Sequence, residues 1–123
     1  MGGLPPIHRS HGRLEIRSHD DGTAHVVVLD GSLVGDGGAQ FLAYFNQHPV
    51  DRDMVLDIWG VSDCDSAGQA AIRTARERVE AAGWRFALVG DPKGICALSL
   101  ADRIPVFSTR RNARAALRFT AAS

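Results

Sequence analysis

Between Met54 and Gly83 the chain switches hydrophobic period once, and this switch limits the possible folds more than any other feature. Met54-Val55-Leu56 is a short apolar run that reads as a buried strand. From Ser66 to Ala82 the pattern becomes helical, with Ile72, Ala75, Val79 and Ala82 recurring every three or four residues as one apolar stripe. Arg73, Arg76, Glu77, Arg78 and Glu80 fill the other side. The Arg73–Glu77 and Arg76–Glu80 spacings suit helix-surface pairs of about 0.3 kcal/mol each. Gly83 is a helix stop. A strand that leads into an amphipathic helix calls for a layered α/β arrangement.

The junction between them, Asp57-Ile58-Trp59-Gly60-Val61-Ser62-Asp63-Cys64-Asp65-Ser66-Ala67-Gly68, is rich in acidic and hydroxyl side chains. A helix start exposes backbone N–H groups and the positive end of the helix dipole. Ser66 and Gln69 match a capping box, in which a hydroxyl at the N-cap contributes about 1 kcal/mol. Asp57 sits inside an apolar strand, so it must lie near the strand end or accept hydrogen bonds.

The rest of the chain repeats the alternation. Residues Met1–Gly12, rich in Gly, Pro and His, show no period and read as a tail. His8 and His11 lack the further ligands of a metal site, and none is expected. Arg13–Arg17 alternates as an edge strand, Asp20-Asp21-Gly22 is a turn, and Ala24–Leu29 reads as a strand buried on both faces. The two strands should form an antiparallel hairpin. Asp36 is placed to cap a helix to about Gln47, with Phe41, Leu42 and Phe45 on one face and Pro49 beyond it. Met54–Trp59 is the central strand and Trp84–Val89 the next. Lys93–Ala101 reads as a short helix with Ile95 and Leu98 inward, Ile104–Phe107 as a short strand, and Arg110 to about Arg118 as a helix capped by Thr109. The order is β-β-α-β-α-β-α-β-α: an α/β fold with a mixed, mostly parallel sheet of about five strands and four helices. The domain is expected over residues 13–118, with 119–123 as a C-terminal tail.

Composition narrows the function. The 123 residues carry no formal net charge, which offers nothing to nucleic acid or an anionic membrane. No apolar run approaches the ~20 residues of a membrane span, and the N-terminus lacks a signal-peptide core. The expectation is a cytoplasmic protein without direct membrane insertion. The sequence has no Walker-type loop, no Cys/His nucleophile pair, no HExxH and no titratable pair spaced for acid–base work, so an enzyme is not expected. There are two cysteines, Cys64 and Cys96, expected to be reduced in the cytoplasm. Both are assigned to one end of the sheet, so they are candidates for a regulatory bridge if their Cα atoms lie within ~7 Å.

An apolar strand, then Asp57, then Gly60-Val61-Ser62, then Asp65-Ser66-x-Gly68, resembles the STAS domain of anti-sigma factor antagonists, and the resemblance spans roughly Leu14–Leu117. It implies that Ser66 is the phosphorylation site of a partner kinase. It further implies a partner face of Asp63, Asp65, Ser66, Ala67 and Gly68 with Gly31 and Ser32. The chain departs from the family at Val34, where an Asp is usual after Gly31-x-Leu33, and at Asp63 and Cys64, where two apolar residues are usual. The implied partner is an anti-sigma factor with serine kinase activity, which would hold the ATP. No cofactor is expected on this chain, as a monomer or weak dimer. Two other readings stand beside this one: a STAS subunit of a membrane transporter complex, and a receiver-like phosphoacceptor domain modified on Asp57.

Overall fold

Val26-Val27-Val28-Leu29 is apolar at every position because both faces of its strand are covered. Val26 and Val28 meet Val55, Ala87, Val89, Ala113 and Leu117 on one side. Val27 and Leu29 meet Phe41, Leu56, Ile72, Val79 and Leu88 on the other. The computed structural model describes residues 14–91 and 106–122. The elements are β1 (Leu14–Asp20), β2 (Ala24–Leu33), α1 (Gly37–Asn46), β3 (Asp53–Cys64), α2 (Ser66–Ala81), β4 (Phe86–Val89), β5 (Val106–Phe107) and α3 (Arg110–Ala122). They form a single five-stranded sheet in the order β1-β2-β3-β4-β5. β1 pairs antiparallel with β2, and every other pairing is parallel. Helices α1 and α2 cover one face and α3 the other.

This is the mixed α/β architecture expected from the alternating pattern. Three helices are described where four were expected. The fourth, Lys93–Ala101, lies outside the described residues, as do the tail Met1–Gly12 and Cys96. The stripe Ile72, Ala75, Val79 of α2 is buried as its spacing requires, but Ala82 is exposed at the C-cap. Gly83, at φ 90°, ends the helix with its N–H on the Glu80 carbonyl at 2.9 Å. Thr109 caps α3, its hydroxyl accepting from the Asn112 N–H at 3.1 Å. The helix then continues to Ala122, beyond the end expected near Arg118.

One strand is longer than its apolar run. β3 does not stop at Trp59 but continues to Cys64. Its pairing with β4 ends at Asp57↔Val89, while its pairing with β2 continues through Asp30↔Gly60, Gly31↔Val61, Ser32↔Asp63 and Leu33↔Cys64. Register shifts fall between Val28 and Asp30 and between Gly31 and Ser32, where Gly31 takes φ 110°. The end of β3 is thus an overhang past β4, paired with β2 alone among the described strands and carrying exposed Ser62 and Asp63, and it delivers the chain to the start of α2.

Candidate functional site

The start of α2 is held by Asp65, not by Ser66. The Asp65 carboxylate accepts the Gly68 N–H at 2.8 Å, and its second oxygen accepts the Gly35 N–H at 2.9 Å from the β2–α1 loop. The backbone N–H of Gln69 bonds to the Asp65 carbonyl at 3.0 Å. The expected capping box with Ser66 at the N-cap is therefore corrected by one residue. Asp caps about as well as Ser, and only Asp65 can also reach Gly35. The Gly35 and Gly68 N–H groups hold the Asp65 carboxyl below the usual carboxylate range.

This shift by one residue changes what Ser66 is available to do. Ser66 becomes the first residue of α2, exposed, and its hydroxyl has no hydrogen-bond partner among the described residues. Ser62, in contrast, is occupied: its hydroxyl lies 3.2 Å from the Gly31 carbonyl and 3.2 Å from the Asp63 carboxylate. Among the described residues, Ser66 is thus the serine of the junction with both exposure and an unbonded hydroxyl.

The expected partner face divides on inspection. Asp63, Ser66 and Ala67 are exposed, and Asp65 is half-buried. Ser32 is 3% exposed, so its side chain does not reach the surface; it lies where β2 turns toward α1. Gly68 is also buried, and its place is one of close packing. A Cβ there would stand 2.3 Å from the Leu33 carbonyl oxygen and 3.0 Å from the half-buried Cys64 Sγ. Gly31 is half-buried at the register shift. Gly38 serves the same close approach from the other helix, because a Cβ there would lie 2.8 Å from the Ala67 carbonyl oxygen. The starts of α1 and α2 therefore abut, and their positive dipole ends lie together, with Asp36 and Asp65 as the two N-cap residues.

One contributor was not singled out from the sequence. Gly35 supplies the second hydrogen bond to Asp65, and its φ of 65° explains the glycine. The run Gly35-Asp36-Gly37-Gly38 was the available signal. The exposed apolar side chains Val34 (38%) and Trp59 (52%) lie in β2–α1 and on the overhang. The Trp59 indole N–H is fixed on the Ser108 carbonyl at 2.9 Å.

Asp57 is not placed for phosphate transfer. It is 6% exposed, accepts the Trp59 N–H at 3.0 Å and is ion-paired with Arg110 of α3 at 2.8 Å. The sheet order also differs from the doubly wound order of receiver-type domains, in which the first strand is internal and parallel. The receiver reading is thereby overturned.

No protein-family model matches the sequence, and no curated protein matches it in sequence. Solved structures do match in fold. An anti-sigma factor antagonist from Mycobacterium paratuberculosis aligns with a TM-score of 0.71 at 18% identity, over 86% of this chain and 95% of that one. The anti-sigma factor antagonist SpoIIAA in its unphosphorylated form aligns with a TM-score of 0.68 at 16% identity, over 85% of this chain and 98% of that one. The murine anion transporter Slc26a9 aligns with a TM-score of 0.68 at 14% identity, over 91% of this chain and 23% of that one. The fold is that of STAS and anti-sigma factor antagonist domains.

Proposed function

We propose that this chain is an anti-sigma factor antagonist, a cytoplasmic protein-interaction module that binds a kinase-type anti-sigma factor through the Ser66 junction and is released by phosphorylation of Ser66. The observation that carries the reading is the division of labour between Asp65 and Ser66. Asp65 caps α2, so the Ser66 hydroxyl is exposed at a helix start and unbonded among the described residues. The likeness to anti-sigma factor antagonists in fold supports the partner class. ATP and the catalytic base would belong to the partner.

The chemistry of the switch follows from the site. A kinase must bring its γ-phosphate to the Ser66 oxygen, so Ser66 lies inside the interface. The product carries a charge of about −1.5 to −2. That charge is tolerated by the free chain, because the N-termini of α1 and α2 lie together there. It opposes redocking, because Asp36, Asp63 and Asp65 already make the surface acidic. A coupling of about 1–3 kcal/mol would weaken binding roughly 5–150-fold.

The experiment is a pull-down on the wild-type protein, followed by incubation of the captured partner with ATP and either wild type or Ser66→Ala. Mass spectrometry should find phosphate on Ser66 of the wild type and none on the variant. Equal phosphate on both would overturn the assignment. The likeness to an anion transporter keeps a second reading, a STAS subunit of a membrane transporter complex. Capture of a transporter polypeptide without kinase activity would favour it.

A further inference from the structure

β1 is an end strand of the sheet, and no strand among the described residues pairs with its outer edge. Soluble proteins usually blunt such edges with charged side chains, a proline, a bulge or a very short strand, but Glu15 and Arg17, exposed charges of β1, are opposite in sign and need not repel a second copy. β1 has seven residues without proline and pairs with β2 in unbroken register from Leu14↔Gly31 to Asp20↔His25.

The hairpin fixes which backbone groups point outward. The Asp21 N–H bonds to the Ala24 carbonyl at 3.2 Å, so Asp21 faces β2. In an antiparallel strand the N–H and C=O of a residue point the same way, and the direction alternates along the chain. Arg17 and Glu15 therefore also face β2, and Ser18, Ile16 and Leu14 face away. The Leu14 carbonyl agrees: it accepts a hydrogen bond at 2.9 Å from Gln40 Nε2 of α1 instead of from β2.

We propose that this edge pairs with itself. Two copies would join β1 to β1 antiparallel about a two-fold axis at Ile16, merging two sheets into one. Ile16 would stand opposite Ile16 of the second copy, the two exchanging two backbone hydrogen bonds, and Leu14 opposite Ser18, whose N–H would share the Leu14 carbonyl with Gln40. Charge selects this register. It sets Glu15 against Arg17 of the second copy, twice by symmetry, at the closer pair spacing of about 4.5 Å between Cα atoms. A two-fold at Arg17 would oppose two guanidinium groups, and one at Ser18 would set Glu15 against Asp21. Within one chain Glu15 is the cross-strand neighbour of Asp30, whose carboxylate already takes Arg17. Glu15 itself has no ion pair among the described residues, and the second copy supplies its cation.

The test is sedimentation equilibrium of the full chain over rising concentration, with Glu15→Arg, Arg17→Glu and the double variant. Each single reversal places like charges opposite one another and should weaken self-association about tenfold or more. The double variant exchanges the charges and should restore it. Thermal unfolding shows whether each variant is folded. Amide hydrogen exchange on the wild type gives an independent readout: the Ile16 and Ser18 N–H groups should gain protection as concentration rises. A monomer at every concentration, a double variant no better than the singles, or concentration-independent exchange at Ile16 and Ser18 would each overturn the proposal.

Discussion

Ser66→Ala decides which of two adjacent residues holds the start of α2. Were the hydroxyl the cap, its loss would destabilise the domain by about 1 kcal/mol. In a chain of 123 residues that is a drop of roughly 3–6 °C in Tm. The geometry leads elsewhere. The Gly68 N–H is satisfied by Asp65 at 2.8 Å, and the Ser66 hydroxyl bonds to nothing among the described residues. Removing it strands no donor or acceptor, and Ala is a better helix former than Ser by a few tenths of a kcal/mol. The expected change is therefore within about 0.5 kcal/mol, of either sign. Urea unfolding followed by circular dichroism reads this directly. A loss of about 1 kcal/mol or more at unchanged m-value would show that the hydroxyl does cap the helix, and the free-hydroxyl argument for Ser66 would fail. Asp65→Ala is the control and should destabilise clearly more than Ser66→Ala. Its deficit has a pH signature. The folded-state carboxyl of Asp65 lies below its ordinary range, so its contribution is present above the unfolded pKa and is lost as pH falls through the folded value. The gap between wild type and Asp65→Ala should close in acid.

Gly68→Ala should destabilise by about 2–3 kcal/mol, because the new methyl would stand 2.3 Å from a backbone oxygen of Leu33 that cannot move aside cheaply; an unchanged urea midpoint would contradict that packing. Arg110→Ala should cost more than Asp57→Asn in the same assay. The first leaves a carboxylate with 8% side-chain exposure unpaired, whereas the second leaves an arginine that is 43% exposed and can turn to water. Equal losses would refute this order. Wild type should lose stability between about pH 7.5 and about pH 5.5 more steeply than His25→Gln. Burial lowers the His25 pKa first, then the nearby His48 and Arg52, while Asp20 and Asp51 act in the opposite sense. A histidine lowered in the folded state takes its proton more readily when unfolded, so stability falls as pH falls through the ordinary histidine range. Parallel Tm-against-pH curves for the two proteins would reject that role.

The fold was legible where one local signal decided it. Val26–Leu29, a short β-branched run bounded by turn residues, read as a strand covered on both faces, and Ile72, Ala75 and Val79 read as the inner stripe of a helix; both are so buried. The end of β3 was not legible, because its last residues pair with β2 alone and carry Ser62 and Asp63 in an exposed overhang. Apolar period reports burial, and these last residues are only half-buried at Val61 and Cys64, too little to set an apolar period.

The site shows the same limit more sharply. Asp65 and Ser66 are both good N-cap residues, and no rule confined to their neighbourhood prefers one. The choice is made by Gly35, thirty positions earlier, whose N–H reaches the second oxygen of Asp65. That contact exists because the β2–β3 pairing carries Leu33 alongside Cys64 and so sets the β2–α1 loop beside the start of α2. The free hydroxyl of Ser66 is therefore a tertiary property. It depends on Asp65 being satisfied from both its own helix and the β2–α1 loop. A change that broke the Gly35 contact would leave Asp65 with one partner and allow Ser66 to compete for the cap.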